Sequence, residues 1–474
     1  MEERRIDFII LFSIVFLFLI ISQSFIFALN LSTSAVFHIG DSLFSIYNND
    51  AFNDSRDFRF AVILLHSSDT FHFFGSIGAK NDGVFNDPFS NRYYAGFYFL
   101  INEGGIKLEK GPLKLILGKL HQVDVIDSPY SLFISSFPVA RNQFSLTYDD
   151  GSFFYTTRWV ELCNLKNGLN VYENLRSANY KVYALKFGKA RFGYQDVAIY
   201  VGKNFDFEYF ANPVPSFFVQ YVNFAGRPYP EGLGETNFIM GFFFDYSDDM
   251  SYLYAQVLID DFNANRFLHP DSYQNPDKIA WSMGLKYTGG FGELGLYHAG
   301  ATKYTFQPSA ESDNQRYYGY TYYPDFVYSK DSTDVILPLE MLYAGYKYGE
   351  NNMAFEVNYK PSILPELKCS LEFVVLGERS PVNPWNERTS FLPGTHFLED
   401  PVKEFRMIST FEYTKTIMHG LKINTRVSAG YIWNGSVLVP VDTDVVKKPV
   451  LRPLEGNNFP FLSLDLSATF SMSF

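Results

Sequence analysis

The chain has 474 residues and a formal net charge of −12, and 19% of its residues are aromatic, including 50 Phe and 34 Tyr. An acidic chain is a poor partner for nucleic acid, which excludes that class of function. The only two cysteines, Cys163 and Cys369, are too few for a disulfide framework, and we expect two independent thiols although pairing in an oxidising compartment is also open.

The first 28 residues have the features of an export signal. Two arginines precede an apolar run from Phe8 to Ile21, and small residues follow it. A charged start, a short apolar core and a small-residue cleavage site define a secretory signal peptide. Cleavage after Ser24 and cleavage after Ala28 both fit this pattern. We therefore predict a signal peptide over residues 1–28 and one exported domain over residues 29–474.

The exported part shows many strand-like segments and almost no helical periodicity. After the leader no stretch approaches the ~20 apolar residues of a transmembrane helix. The aromatic content suits strands and the bilayer interface. We predict an all-β, antiparallel transmembrane barrel of about 16 to 18 strands in the cell outer membrane, in contact with its lipid. The predicted strands are Ala35–Tyr47, Phe58–His66, Arg92–Ile101, Leu113–Gln122, Asn142–Tyr148, Phe153–Trp159, Tyr180–Phe187, Arg191–Gly202, Thr236–Tyr246, Ser251–Asp261, Ile279–Tyr287, Glu293–Tyr304, Met341–Tyr348, Met353–Lys360, Leu367–Gly377, Phe405–Thr416, Leu421–Trp433 and Leu462–Phe474.

The connections between these strands fall into a short and a long class. Short turns are predicted at residues 149–151, 247–249, 289–290 and 349–352, and long loops at 307–337, 378–402 and 434–460. In an outer-membrane barrel the short turns face the periplasm and the long loops face outward. Pro213 and Pro215 mark a further break, and we expect a short helix or a constriction segment after them. A plug in the lumen is expected from residues before Phe58 or from this proline segment.

Catalytic motifs are scarce, and we predict no enzyme activity. The run HSSDTFH, from His66 to His72, resembles a metal or nucleophile cluster, but its place between strands favours a polar turn. The sequence has no nucleophile elbow, phosphate loop, zinc-ligand spacing or calcium loop. We therefore expect no cofactor, and the sequence assigns no metal ligands.

The middle of the chain carries a series of short motifs in a fixed order. They are VAIYVG, NPVPSFF after an aromatic stretch, YAQVLIDDF, GLKY and KYTF. In this order they resemble the Wzi-like capsule-assembly family of outer-membrane barrels, over about Phe144 to Tyr348. The resemblance implies a lectin-type barrel that binds or helps to assemble cell-surface polysaccharide.

Within this region six residues are candidates for contact with a glycan or with the lumen. Asp206 and Glu208 alternate with aromatic residues, which predicts a strand with carboxylates on one face and rings, Tyr209 among them, on the other. Lumenal counterions for these carboxylates are expected at Lys186, Lys189, Arg191 and Lys203. Asn212 is expected to hold an inward bend.

Asp260 and Asp261 complete the candidate set. They end a predicted strand and begin a loop, so that their carboxylates could accept sugar hydroxyls or bind a cation. The alternative is a strand-end cap or an Asx turn, which is the commoner role for aspartate at such positions.

The last predicted strand, Leu462–Phe474, alternates apolar and polar residues without a break. It is longer than the ~9 to 11 residues that a tilted strand needs to cross a bilayer. We predict that it is the closing strand of the barrel, with Phe470 and Met472 on the lipid side. Phe474 is expected in the aromatic girdle, and Phe470, Met472 and Phe474 together are expected to form an outer-membrane sorting signal read by the barrel-assembly machinery.

Three functions are open on this evidence. The first is a surface-polysaccharide binding or assembly barrel, which depends on the family resemblance. The second is a general diffusion porin for small, preferentially cationic or neutral solutes. The third is a surface adhesin whose activity lies in the long loops.

Overall fold

A computed structural model describes residues 29–48, 55–82, 97–163, 175–225, 236–261, 275–308, 317–330, 333–381, 393–442 and 447–473. The predicted signal peptide lies outside the described residues. Eighteen strands form one antiparallel sheet, and the first strand pairs with both the second and the last, so the sheet closes into a barrel. This confirms the predicted fold class and the upper end of the predicted strand number.

The barrel strands follow one another in chain order. They are β1 (Leu29–Gly40), β2 (Ser55–Ser67), β3 (Phe71–Lys80), β4 (Tyr98–Lys110), β5 (Leu113–His121), β6 (Ala140–Asp149), β7 (Phe153–Cys163), β8 (Arg176–Phe187), β9 (Ala190–Val201), β10 (Thr236–Ser247), β11 (Ser251–Asp261), β12 (Lys278–Gly289), β13 (Gly292–Ala301), β16 (Asn352–Pro361), β17 (Leu367–Leu376), β18 (Glu404–Met418), β19 (Leu421–Trp433) and β22 (Phe459–Ser473). Two hairpins lie in the loops, β14 (Val327–Lys330) with β15 (Thr333–Ile336), and β20 (Ser436–Asp442) with β21 (Lys447–Pro453).

Four short helices complete the described structure. They are α1 (Leu43–Asn48), α2 (Phe207–Ala211), α3 (Ser216–Ala225) and α4 (Leu339–Leu342). None of the helices in the described parts of the chain has the length and apolar character needed to span a bilayer.

Short and long connections alternate around the barrel. The short ones, at residues 68–70, 111–112, 150–152, 188–189, 248–250, 290–291, 362–366 and 419–420, all lie at the end where β1 begins and β22 stops. The long ones all lie at the opposite end. This is the arrangement of outer-membrane barrels, in which short turns face the periplasm and long loops face outward.

The last strand has the two faces that its sequence predicts. Leu462 and Phe470 are 59% and 38% exposed on the outer face, whereas Asp465 lies on the inner face and accepts a hydrogen bond from the His38 ring at 2.8 Å. Met472 shares the outer face with Phe470, and β22 pairs with β1 along the seam from Gly40 to Asn30. Phe474 lies outside the described residues.

One barrel strand was not predicted and one predicted strand is absent, so these two differences cancel in the strand number. The predicted strand Ala35–Tyr47 is also wrong in its bounds, because β1 ends at Gly40 and residues from Leu43 form α1. The segment Phe71–Lys80 is a barrel strand that the sequence analysis missed, because consecutive aromatics and small residues, FFGSIGA, hide its alternation. Met341–Tyr348 is not a strand. It contains the end of α4, and Tyr343 and Tyr346 are fully buried within the lumen, so alternation there does not mark two faces of a wall.

The predicted bounds also differ at β4, which was expected to stop at Ile101. It continues to Lys110 through a Gly104–Gly105 pair that has the composition of a turn. Gly105 faces Gly118 of β5 so closely that an added Cβ would lie 2.9 Å from the Gly118 Cα and 2.5 Å from the Leu117 carbonyl oxygen. These glycines therefore permit close strand contact rather than a reversal of the chain.

The upper part of the lumen, toward the long loops, is filled by packed side chains. Two segments enter it: an inward loop, defined as residues 122–139, and a plug loop, defined as the described residues 302–308, 317–330 and 333–351. Their buried residues form one core with the barrel wall, and helix α1 adds Ile46 and Tyr47 to it. The predicted plug from residues before Phe58 is therefore present only in part. The proline segment after Pro213 makes no plug, because its helix α3 lies against the outside of the wall.

Candidate functional site

The inward loop is fastened to the barrel wall by one buried carboxylate, that of Asp124. Its Oδ1 accepts hydrogen bonds from Gln195 Nε2 and from the Val125 amide, both at 2.7 Å. Its Oδ2 accepts one from Gln256 Nε2 at 3.0 Å. The Gln256 side chain in turn accepts the Leu132 amide at 2.9 Å. Because Gln195 and Gln256 lie on β9 and β11, these bonds fix the loop at a defined place in the lumen.

A second cluster joins the inward loop to the plug loop. The Lys347 ammonium lies 4.9 Å from the ring centres of both Tyr130 and Tyr348 and 2.9 Å from the Glu372 carboxylate. Tyr130 donates a hydrogen bond to the same carboxylate at 3.0 Å. Burial by itself would lower the pKa of Lys347, but the neighbouring Glu372 carboxylate outweighs it, so the pKa lies above its usual value. The Lys347 ammonium therefore stays charged, and its contacts hold the inward loop and the plug loop together.

The plug loop is held at the rim by a buried arginine. Arg176 of β8 donates from Nε to the Tyr317 carbonyl at 2.5 Å and from Nη2 to the Gly319 carbonyl at 2.7 Å. Tyr320 donates a hydrogen bond to the Phe133 carbonyl, which joins the plug loop to the inward loop. The two loops therefore form one packed unit in the lumen.

The other end of the plug loop is held by the carboxylate of Glu350. It accepts hydrogen bonds from Gln307 Nε2 at 2.6 Å, the Ser380 amide at 2.7 Å and the Tyr304 amide at 2.5 Å. Burial raises the pKa of Glu350 to about 7, so this group titrates near neutral pH.

A cavity of about 430 Å³ opens beside the inward loop. Four serine hydroxyls, two aspartates and one glutamine are among its lining residues, which include Gln122, Asp124, Asp127, Ser128, Ser131, Ser135 and Ser136. The Asp127 side chain is 76% exposed and forms an ion pair with Lys286 at 3.0 Å. The four serine hydroxyls and the Asp124 carboxylate take part in hydrogen bonds within the loop or to the wall, so the exposed Asp127 carboxylate is the lining group most accessible to a polar ligand.

Two side chains near this cavity, the buried Gln122 and the half-buried Arg158, have unused polar atoms. Gln122 is 7% exposed, and neither its Oε1 nor its Nε2 has a hydrogen-bond partner among the described residues. Arg158 lines an adjoining cavity of about 110 Å³, where its Nη1 donates to the Val123 carbonyl at 3.1 Å but its Nε is unpaired within the described structure. Buried polar atoms without partners are costly, so bound water or a ligand is expected to supply the missing bonds.

The structure separates the residues that the sequence analysis grouped together. Asp206 is not in a strand; it is the N-cap of α2 and accepts the Glu208 and Tyr209 amides. The expected alternation from Phe205 to Tyr209 is therefore wrong, because a capped helical turn replaces the strand. Tyr209 is buried, Asn212 ends the helix, and all four lie on the outside of the barrel wall. Of the expected counterions only Lys203 pairs with Asp206, at 2.9 Å.

The other two candidates lie at the long-loop end of β11, on opposite faces of the wall. Asp260 points inward, accepts the Phe306 amide at 2.8 Å and lies 3.9 Å from Lys278, so it anchors the plug loop. Asp261 points away from the lumen and accepts a hydrogen bond from Asn275 at 2.5 Å. Roles for these residues in binding a glycan stay predictions.

The remaining predictions on chemistry concern cysteine, histidine and metal. Cys163 and Cys369 lie on β7 and β17 and are free thiols. The HSSDTFH run forms the turn between β2 and β3, with His72 hydrogen-bonded to Ser67 at 2.7 Å. No group of metal-ligating side chains occurs among the described residues.

The predicted short turn at residues 349–352 is wrong, because Glu350 and Asn351 are buried at the long-loop end.

Sequence reasoning did not single out the inward loop. The signal was its composition, SPYSLFISSFP, in which serines alternate with apolar and aromatic residues between two strands. Serine-rich connections are common in surface loops, and only the tertiary structure shows that this one is folded into the lumen.

No protein-family model matches the chain, and no curated protein matches it. Among solved structures it is similar to Wzi of Escherichia coli, an outer membrane protein involved in group 1 capsule assembly and described as a carbohydrate-binding β-barrel. That likeness has 11% identity and a TM-score of 0.51, and it covers 94% of this chain and 84% of Wzi. It is also similar to OccK1 (OpdK) of Pseudomonas aeruginosa, with 10% identity and a TM-score of 0.46 over 94% of this chain and 98% of the other. The chain is an 18-stranded outer-membrane β-barrel.

Proposed function

We propose that this barrel binds cell-surface polysaccharide, and that the cavity beside the inward loop is the binding site. The proposal is carried by Gln122, a buried amide whose two polar atoms have no partner among the described residues and which lines a hydroxyl-rich cavity. Both atoms have almost no solvent-accessible area, so a sugar unit reaches them only after the Gln122 side chain turns toward the cavity. A sugar hydroxyl, which both donates and accepts hydrogen bonds, can then satisfy them.

The surroundings of the cavity suit a carbohydrate. Tyr252 and Tyr254 are hydrogen-bonded to the inward loop at Asp127 and Ser128, and their rings are 5.9 Å apart. Neither ring is among the residues that line the cavity, so the two tyrosines hold the loop in place and the polar groups of the loop are what a ligand would contact. Asp124 and Asp127 make the cavity acidic, so a neutral glycan, or an acidic one bridged by cations, is the expected ligand.

Two further points support a binding role. The solved structure of Wzi carries the description of a carbohydrate-binding barrel, and the central motifs of this chain resemble that family. The described residues present hydrogen-bonding groups in the cavity and no assembled catalytic group, and we propose that the protein acts by binding rather than by catalysis.

A general porin is the alternative, and the packed lumen argues against it. The core between the inward loop and the plug loop includes Tyr130, Tyr320 and Tyr346, each fully buried. Purified wild-type protein in a planar bilayer is therefore expected to give little steady conductance. Large, steady conductance would favour the porin, and glycan binding confined to the outer loops would favour the adhesin.

The direct test is glycan binding by the purified barrel on an oligosaccharide array. Gln122→Met removes both unpaired polar atoms with little change in side-chain length, so it should weaken binding while leaving the barrel as stable or more stable. Asp127→Asn should also weaken binding, because Asp127 lines the cavity and is exposed. Asp69→Asn, an exposed aspartate in a periplasmic turn, is the matched control and should bind as the wild type does.

Together, the three variants distinguish the loss of a glycan contact from a general loss of structure. A Gln122→Met protein that binds as tightly as the wild type would place the glycan elsewhere. Absence of any glycan binding by folded wild-type barrel would contradict the proposed function.

A further inference from the structure

A segment of the chain leaves the barrel rim and folds down along the outside of the wall. We call it the outer flap, residues 203–225, and it contains α2 and α3. Its backbone is hydrogen-bonded to outward-pointing wall side chains: Trp159 and Ser177 donate to the Asn204 carbonyl at 2.5 and 2.7 Å, and Asn179 donates to the Tyr209 carbonyl at 3.0 Å. Tyr180 of β8 lies in the lumen, so Ser177 and Asn179 on the other face of β8 point outward. Trp159 points outward as well, because it is the register partner of Asn179.

The lowest part of the flap is held by two charged wall residues. Lys181 of β8 donates to the Asn212 and Val214 carbonyls at 2.7 and 2.6 Å. Asp196 of β9 accepts the Ser216 amide at 2.9 Å and the Ser216 hydroxyl at 2.7 Å. Both charged side chains are essentially inaccessible to solvent. The wall is therefore polar beneath the flap, and the flap supplies the partners.

The same row of the wall is apolar on the three strands to either side of the flap. Thr157, Lys181 and Asp196 are register partners on three consecutive strands. On one side the row continues with apolar partners on β6, β5 and β4, and on the other with apolar partners on β10, β11 and β12. In order these are Leu146, Leu115 and Leu108, then Met240, Ile259 and Ile279. The three polar residues that interrupt this apolar row therefore lie where the flap covers the wall.

The outer surface of the flap replaces the missing apolar belt. Phe207, Phe218 and Tyr221 are 72%, 56% and 59% exposed, and Phe217 and Val222 are exposed beside them. Phe217 contacts Phe238 of β10 with ring centres 5.9 Å apart, so the flap surface is continuous with the wall. A polar loop in water would not present large apolar groups in this way.

From these observations we infer that the outer flap is embedded in the outer leaflet of the outer membrane, with its apolar face in contact with lipid acyl chains. The flap shields the Thr157, Lys181 and Asp196 row from the hydrocarbon, where unpaired charges would be costly. Backbone outside a closed sheet is tolerated at membrane depth only when its polar groups are paired, and here wall side chains pair them. This inference depends on the membrane location and is independent of the proposed glycan site.

Fluorescence quenching by brominated lipid tests the inference. In a Cys163→Ala/Cys369→Ser background, Phe218→Cys carries an environment-sensitive nitrobenzoxadiazole label, and the full-length barrel is placed in phosphatidylcholine vesicles with or without bromine on the acyl chains. Phe242→Cys, 44% exposed on the uncovered wall, gives the value for lipid contact. Asp69→Cys, in a short turn, gives the value for water. Val222→Cys is a second flap position that guards against a local effect of the label.

Quenching at Phe218→Cys and Val222→Cys within about twofold of that at Phe242→Cys is the expected result. Quenching as weak as that at Asp69→Cys at both flap positions would overturn the inference. Efficient cross-linking between Phe218→Cys barrels together with weak quenching would also overturn it, because a second copy of the chain would then cover the flap.

Discussion

Replacing Asp124 with alanine should release the inward loop from the barrel wall. The substitution leaves the Gln195 amide and the Val125 N–H, each bonded to Asp124 at 2.7 Å, without their acceptor in a buried place. Each unpaired buried donor costs about 1–3 kcal/mol, and Gln256 retains its bond to Gln195 at 2.7 Å. The net loss for the loop is therefore about 3 kcal/mol, which corresponds to roughly a hundredfold rise in the population of the open loop.

Hydrogen exchange of peptides covering residues 122–139, measured on the detergent-solubilised barrel, reports this population directly. The matched control is Asp127→Ala in the same loop. Its side chain is mostly exposed and its ion pair with Lys286 is worth at most about 1 kcal/mol, so exchange should change less than about fivefold. Exchange in Asp124→Ala within threefold of the wild type would refute the assignment of Asp124 as the anchor.

Three further outcomes are expected. Asp196→Ala should lower the free energy of unfolding of the barrel by about 2–4 kcal/mol, because the Ser216 amide and hydroxyl lose their acceptor. Lys181→Met/Asp196→Leu should restore much of this stability by making the row apolar. Thermal unfolding in detergent measures both variants, and no loss of stability in Asp196→Ala would contradict the pairing with Ser216. Because the pKa of Glu350 is raised from 4.5 to about 7, its contribution to plug-loop stability, on the order of 3 kcal/mol, should be complete below about pH 4.5 and lost as the pH rises through 7. Plug-loop hydrogen exchange, corrected for its intrinsic pH dependence, should show this loss, and the same loss in Glu350→Gln would exclude Glu350 as its source. Deletion of Phe474 should reduce the amount of barrel recovered in the outer membrane of expressing cells, and normal insertion would refute its sorting role.

The architecture was predictable because it depends on local alternation. The strand Leu462–Phe474 shows an apolar outer face and a polar inner face in its sequence, and the structure places both faces as predicted over residues 462–472. Strand β3 was missed because its inner and outer residues, FHFFGSIGAK, differ little in polarity. A strand with small residues on a closely packed wall carries little signal for a period of two.

The outer flap was misread for a different reason. The run from Phe205 to Tyr209 alternates in polarity as a strand does, but Asp206 is followed by residues that form a helical turn and receives their amides as an N-cap. The alternation of Asp206 and Glu208 with aromatic residues looks the same whether Asp206 caps a helix or both residues lie in a strand. Hydrogen bonds to Thr157, Asn179 and Lys181 decide the outcome, and these residues lie on strands far back in the sequence.

The candidate site was the least predictable part. Asp260 and Asp261 were singled out as neighbours in sequence, yet one anchors the plug loop and the other points away from the lumen. The cavity beside the inward loop depends on how residues 122–139 fold back into the barrel, and this is set by contacts with Gln195 and Gln256 rather than by local sequence. A single chain sequence contains no signal for such a long-range arrangement.

The central claim is that a glycan binds in the lumen beside the inward loop. Hydrogen exchange of the wild-type barrel with and without an oligosaccharide selected on the array tests it most directly. We predict slower exchange in peptides covering residues 122–136 and unchanged exchange in the outer hairpin from Ser436 to Pro453. Slower exchange confined to the outer loops, with residues 122–136 unaffected, would contradict the claim.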